Sequence, residues 1–297
     1  MIIAILLSGL HAMIPIGLAA IGETFNEKGG MFNIGLEGIL LISGFTGALI
    51  AEVFRNWALG ILAGLISGAA MGFIFAVICA YWKGDQMIAG IGINLFALGL
   101  VSFSLPAVWG TWGYHAVPKL VNVPKIHTPI GSLSIFVPIT IVLCALTHYL
   151  LHKTSLGLML KAVGENPEAA DVAGVNVYLV RLIGAVYGGA LCGLGGAYLS
   201  LDYLGFVTKT LPGGRGFIAL ACVVFSGLEP GLSLVAGLLF GFCETLGLWA
   251  ASLPAIKKLI PYQFLYMIPY IATLIVTAIA VKRRRFPASM GIPYRRE

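Results

Sequence analysis

Charge is what this chain has least of. Only 10% of its 297 residues are Asp, Glu, Lys or Arg, where a soluble domain carries about 25%. Too few polar side chains are present to cover a water-soluble globule of this length. Cysteine is scarce too. Cys79, Cys144, Cys192, Cys222 and Cys243 all lie in apolar stretches and none forms a CxxC pair. That excludes a disulfide framework and a Cys-type zinc site and leaves small packing residues. No HExxH, GxSxG or GxxxxGK[ST] occurs. The chain therefore lacks the patterns of a metalloprotease, a serine hydrolase or a phosphate-cradling ATPase loop. The N-terminus lacks the basic n-region of a cleaved signal peptide, so residues 2–22 read as a retained span.

What is present is apolar. Hydrophobic residues make up 59% of the sequence and the mean hydropathy is +0.97. A bilayer is the solvent that stabilises such a composition, and about 20 apolar residues span one. Nine runs meet or approach that length: Ile2–Gly22, Phe32–Phe54, Trp57–Trp82, Gln86–Pro106, Ser134–His152, Tyr178–Leu201, Gly216–Leu228, Gly231–Leu253 and Tyr262–Val281. The fold class is an all-α integral membrane protein of about nine transmembrane helices (8–10), with at least one short or broken segment. The short one is Gly216–Leu228, flanked by Leu211–Gly216 and by Glu229-Pro230-Gly231. Interrupted segments of this kind point to transport sites, because irregular backbone at depth must line a cavity or be buried in protein. The alternative is a full helix with misjudged ends. Gly35-Leu36-Glu37 recurs as Gly227-Leu228-Glu229, a faint hint of an internal repeat. Glycines at Gly60/Gly64/Gly68/Gly72, Gly184/Gly188 and Gly189/Gly193 suit close helix packing.

The net charge of +6 sits at the ends of apolar runs. It reads as orientation and headgroup charge, and no nucleic-acid partner is expected. Lys282-Arg283-Arg284-Arg285 places the C-terminus inside. Counting back puts the inside excess of Lys and Arg where the positive-inside rule wants it. Two connections are long: Ala107–Leu133 on the outside, with Pro118, Pro124 and Pro129, and Lys153–Val177 on the inside.

Polar residues inside the apolar runs are the candidates for function. Asn94 and Glu244 lie mid-run, Glu37 and Asn33 lie near one end of the second run, and His11 lies in the first. Each either faces a water-filled path or hydrogen-bonds between helices. Trp109, Trp112, Tyr114, Trp249, Tyr262 and Tyr266 either stack on a ring-shaped solute or form an interfacial aromatic belt. The inside connection carries the clearest local signal. Asn166 is placed to cap a short helix that starts with Pro167, holds Glu168 and Asp171 in its positive end and stops at Gly174. Six or seven residues do not make a stable helix alone, so it must dock on something.

The stretch Gly164-Glu165-Asn166-Pro167-Glu168-Ala169-Ala170 through Gly174-Val175 resembles the coupling-loop motif of the membrane subunits of ATP-binding-cassette importers. Glu27-Lys28-Gly29-Gly30-Met31-Phe32-Asn33-Ile34-Gly35-Leu36-Glu37-Gly38 is similar to the ER-x-G-x-x-NIGLEG stretch of the simple-sugar and nucleoside branch, with Lys28 in place of Arg. The residues from Gly213 into Phe217–Ala221 resemble that branch as well, and the likeness covers roughly residues 10–285. The resemblance implies a permease domain at 1–286, with a coupling loop about 153–177 and a cytoplasmic tail at 287–297. It implies a multi-pass protein of the plasma (inner) membrane without an ATPase site or cofactor of its own. The implied partners are a cytoplasmic ATPase subunit that binds ATP, a second, related permease subunit and an extracytoplasmic solute-binding protein. Asn33, Glu37, Asn94 and Glu244 are then substrate-path candidates. Gly164, Glu165, Asn166, Pro167, Glu168, Ala169, Ala170 and Gly174 form the coupling loop. A nucleoside is the expected solute; a simple sugar or branched-chain amino acid is the alternative. An ATP-independent transporter or channel is the rival class.

Overall fold

The computed structural model describes residues 2–118, 121, 123–128, 131–253, 264, 267–280 and 286–295. Lys119, Pro129, Lys257, Lys258, Tyr262, Tyr266, the basic cluster 282–285 and Arg296 lie outside the described residues. Among the described residues, eleven α-helices and four short strands follow one another. α1 is Ile2–Lys28, α2 Leu36–Phe54, α3 Trp57–Ala76 and α4 Gln86–Trp109. Strands β1 (Tyr114–Ala116), β2 (Lys125–Thr128) and β3 (Gly131–Ser134) lead to α5 (Phe136–Lys153), α6 (Ser155–Glu165) and α7 (Pro167–Val172). Then come α8 (Val177–Tyr198), β4 (Phe206–Thr208), α9 (Arg215–Ser226), α10 (Pro230–Ser252) and α11 (Ile268–Ala280). Both α3 and α8 finish in one π-helical turn, Val77–Tyr81 and Leu199–Tyr203.

Among the described residues, seven helices are long and apolar enough to cross a membrane: α1 to α5, α8 and α10. These match seven of the nine runs. α9 has 12 residues, short of a crossing at about 1.5 Å per residue, and the described part of α11 has 13, with residues 281–285 beyond it outside the described residues. Three features differ from the expectation. The first helix does not stop at Gly22 but runs on through Glu23, Asn26 and Glu27 to Lys28. Those polar side chains are buried in the bundle, so their charge ends the hydropathy run and not the helix. The second span starts at Leu36, because residues 32–35 are not helical. Strands are also present. β2 pairs with β3 as an antiparallel hairpin, Lys125 opposite Ser134, and β1 pairs with β4, Tyr114 opposite Thr208. At three or four residues each, they are too short to show a period of two.

The buried spans are α1, α2 and α8; α3, α4, α5 and α10 lie outside them. The α3–α8 pair is antiparallel and crosses on its glycines. A Cβ added at Gly68 would come within 2.3 Å of the Gly189 carbonyl oxygen, and one at Gly72 within 2.2 Å of the Ala185 carbonyl oxygen. The reverse also holds: Cβ atoms at Gly189 and Gly193 would lie 2.4 and 2.3 Å from the carbonyls of Gly68 and Gly64. Backbones in contact replace side-chain interdigitation here.

The tail does not hang free. The Ser289 N–H donates to the Gly164 carbonyl at 3.0 Å, and the Ser289 hydroxyl donates to the same carbonyl at 2.7 Å. Arg181 donates to Ser289 Oγ and to the Ile292 carbonyl, each at 3.2 Å. Tyr294 donates to Asp171 Oδ2 at 2.9 Å. Residues 286–295 thus strap α6 and α7 to α8. The two Gly-Leu-Glu triplets hold different places. Gly35 precedes α2, whereas Gly227 and Leu228 have positive φ in the turn from α9 to α10.

Candidate functional site

Irregular backbone inside a membrane protein must find hydrogen-bond partners within the protein. Residues 30–38 show how this chain supplies them. The Phe32 N–H donates to Gln86 Oε1 at 2.6 Å, and the Asn33 N–H to Glu23 Oε1 at 2.7 Å. The Gly35 N–H donates to Asn33 Oδ1 at 2.8 Å, and the Gly38 N–H to Asn94 Oδ1 at 2.7 Å. Asn94 Nδ2 returns a bond to the Ile34 carbonyl at 3.1 Å. Asn94 is eight residues into α4, about 12 Å along its axis, so the start of α2 sits well inside the bundle.

The start of α9 meets it there. β4 pairs with β1 just beyond the end of α4. The chain then turns through Gly213 and Gly214, both at positive φ (56° and 84°), and enters α9 at Arg215. Glu37, in the first turn of α2, accepts the Gly214 N–H at 2.6 Å and the Gly216 N–H at 2.8 Å, one on each carboxylate oxygen. Two helix N-termini, each with unpaired N–H groups and a positive dipole end, therefore share one carboxylate. The approach requires glycine, since a Cβ at Gly216 would lie 2.4 Å from the Glu37 nitrogen. Tyr270 of α11 closes the turn from the other side, donating to the Gly213 carbonyl at 2.7 Å.

A cavity of about 340 Å³ opens at this junction, lined by Glu37, Asn94, Leu95, Leu98, Lys209 and Phe217 among others. Glu37 and Asn94 thus share one cavity wall. Asn33 is buried behind it. Glu244 lies elsewhere, in α10, where it pairs with Arg215. Arg215 also donates to the Pro212 carbonyl at 3.0 Å and lies 5.5 Å from the Tyr203 ring centre. Both side chains are nearly buried, and Arg215 Nε and Glu244 Oε2 find no hydrogen-bond partner. Removing one partner of such a pair costs about 3–5 kcal/mol, whereas an apolar replacement of both is close to neutral. Glu244→Ala is therefore expected to lower the thermal midpoint of the purified chain sharply. Arg215→Met with Glu244→Leu should restore most of it. A double variant as unstable as the single one would show that the charges act on something besides each other.

A larger cavity of about 700 Å³ lies near the N-terminal end of α1, lined by His11, Lys125, Ser132, Asp202, Thr245 and Trp249 among others. His11 thus faces a cavity while its own carbonyl accepts from the Tyr198 hydroxyl at 3.2 Å. Asp202 accepts from Ser134 and lies 3.6 Å from the Lys125 ammonium. Trp109 stacks on His115 at 4.2 Å and donates to Glu52 at 2.8 Å, so its indole is engaged within the protein. Sequence reasoning missed Glu23, Gln86, Arg215 and Asp202. None stood out in the apolar pattern, and Gln86, Arg215 and Asp202 bond to residues distant in sequence.

At the opposite end, α7 forms as its residues dictate. Asn166 Oδ1 accepts the Ala169 N–H at 2.9 Å, Pro167 opens the helix, and Gly174 follows it at φ 88°. The connection from α5 to α8 also holds α6, capped by Thr154. Gly164 and Ala170 are buried against the bundle, whereas Glu165, Asn166, Glu168, Ala169 and Gly174 are exposed and Pro167 is half-buried. Val172 is 91% exposed, an apolar tip on a polar surface. The α6–α7 surface is thus a projecting hairpin with one face bound to its own bundle and one face open.

Comparison with known proteins now bears on that surface. The family described as "Branched-chain amino acid transport system / permease component" matches residues 5–269. The chain belongs to this permease family. It is a multi-pass membrane permease with seven helices long enough to span among the described residues. Its relatives include the guanosine ABC transporter permease protein NupQ of Bacillus subtilis, 35% identical over 94% of this chain and 92% of that one. The nucleoside ABC transporter permease protein NupC of Lactococcus lactis is 36% identical over 94% and 93%. A second permease of that organism, NupB, is 28% identical over 80% and 70%. No solved structure matches the permease.

Proposed function

We propose that the chain is one permease half of an importer for nucleosides, driven by ATP hydrolysis on a partner subunit. The observation that carries this reading is the likeness, over nearly the full length of both chains, to two permeases named for guanosine and nucleoside transport. NupB and NupC are two related permeases from one organism, which supports pairing with a second, non-identical permease. The ATPase subunit docks on the exposed face of α6–α7 through Glu165, Asn166, Glu168, Ala169, Val172 and Gly174. An apolar tip with polar surroundings suits such a dock, and the motif there is the one that resembles a coupling loop. That places α6, α7 and residues 287–297 on the cytoplasmic side of the plasma membrane, and β1–β4 on the outer side, where a solute-binding protein delivers its cargo. The 1–286 domain provides the path and the ATP stays with the partner.

In that path, Glu37 and Asn94 act first as the acceptors that hold two interrupted helices together. Their cavity lies at the junction, where such half-helices place the solute in transporters. The solute assignment is tested by radiolabelled uptake in cells lacking the gene. Guanosine or adenosine uptake is expected to fall to background and return with the intact gene. Unchanged nucleoside uptake with lost ribose or galactose uptake would reassign the solute to a simple sugar.

A further inference from the structure

We propose that His148, His152 and Glu229 form a binding site for a divalent transition-metal ion that ties the end of α5 to the turn between α9 and α10. One ligand atom from each of the three lies within 4.8 Å of the others. His152 Nδ1 is 3.0 Å from the His148 carbonyl oxygen. A carbonyl only accepts, so Nδ1 carries the proton, and in the neutral imidazole that a metal binds Nε2 presents its lone pair. A backbone carbonyl that fixes the tautomer in this way is the usual outer support of a metal-ligating histidine.

That lone pair faces Glu229. His152 Nε2 is 3.5 Å from Glu229 Oε2. In a tetrahedral site with bonds of about 2.1 Å, two ligand atoms stand about 3.4 Å apart, so this contact already has the length of one edge. The other carboxylate oxygen is committed elsewhere, 4.0 Å from the Lys28 ammonium, leaving Oε2 for the metal. Glu229 precedes α10 without capping it through its side chain, so its carboxylate is not needed by the helix. The His148 ring lies 4.3 Å from that of His152 and must turn to ligate, which its exposed position allows. Two imidazoles and a carboxylate with a position open to water suit Zn²⁺ or Co²⁺ over Mg²⁺ or Ca²⁺.

The ligands come from two places. α5 runs through His152 and Lys153 into the cap of α6, while Glu229 stands just before α10. An ion bound here would clamp the stem of the α6–α7 hairpin to the turn after the interrupted helix α9. The proposal does not rest on the solute or on the ATPase.

The test titrates Zn²⁺ into the tag-free, full-length chain in detergent, followed by calorimetry and thermal melting, with Co²⁺ as a visible-absorption probe. The wild-type chain is expected to bind one Zn²⁺ with a rise in thermal midpoint. Co²⁺ should give a ligand-field band that Zn²⁺ displaces. His152→Ala and His148→Ala should each weaken binding by at least about tenfold and lose the rise in midpoint. Glu229→Gln, which keeps the shape of the turn, should weaken it too. Each variant is first melted without metal, so that a misfolded one is set aside and the remaining variants decide. Absence of stoichiometric binding, or binding that survives all three substitutions, would overturn the site. Binding with no change in midpoint would overturn the clamp.

Discussion

Gly68→Leu is expected to leave almost no folded chain in the membrane. The reason is geometric. On α3, Gly68 faces backbone and not side chain: even a single added carbon would lie 2.3 Å from the Gly189 carbonyl oxygen and 2.5 Å from the Gly193 Cα. A side-chain neighbour could rotate away, but a helix backbone can yield only by moving the helix. α8 cannot move alone, because it also packs on α1 and α2. Overpacking a close contact by one or two carbons costs about 1–3 kcal/mol. Four carbons wedged between two backbones exceed that, and losses above about 4 kcal/mol exhaust much of a protein's net stability. Gly68→Ala should lower the thermal midpoint measurably, and Gly68→Leu should abolish recovery of monodisperse protein from detergent. Gly99→Leu is the control. It lies on α4 with nothing within 4 Å of an added Cβ, and should behave like the wild type. Equal yields of the Gly68 and Gly99 variants would contradict the contact.

The second large effect is expected at Glu37. Its carboxylate accepts one N–H from Gly214 and one from Gly216. Glu37→Ala leaves both donors without an acceptor in the interior. Each orphaned buried group costs about 1–3 kcal/mol, so the loss is about 2–6 kcal/mol. Uptake should fall with it, because the α2–α9 junction borders the cavity lined by Glu37 and Asn94. Glu37→Gln presents one acceptor oxygen and sets an amide N–H against the second donor, so its midpoint should lie between those of the alanine variant and the wild type. The measurement is a thermal melt of purified protein beside uptake in cells. An alanine variant that melts and transports like the wild type would show that the junction does not depend on this carboxylate.

Much of this was legible before any coordinates. Seven apolar runs became spanning helices because each is long enough to satisfy its own backbone. The short helix α7 was legible in detail, since cap, proline and terminal glycine act on neighbours within a few residues. α6 left a signal as well. Leu156, Leu160 and Val163 follow a helical spacing and pack into one cluster with α1 and α8 residues. Their spacing was masked by the apolar Leu158 and Met159 between them. The strands gave no readable pattern. The role of Glu37 was out of reach for another reason. The residue stood out as an acid in an apolar run, but its partners lie 177 and 179 positions away. No local rule connects them, and a single sequence carries no register between distant segments. Glu23 and Gln86 share that difficulty, with backbone partners 10 and 54 residues off.

The strap formed by residues 286–295 has a consequence for how the protein is made. Gly164 and Asp171 are synthesised more than a hundred residues before Ser289 and Tyr294, which hold them in place. All the apolar segments are therefore complete before the ribosome delivers the residues that fix the hairpin. Until residues 286–295 arrive, Gly164 and Asp171 lack the contacts from Ser289 and Tyr294 that tie α6 and α7 down. The order of the hairpin is thus settled late, by residues that lie more than a hundred positions beyond it.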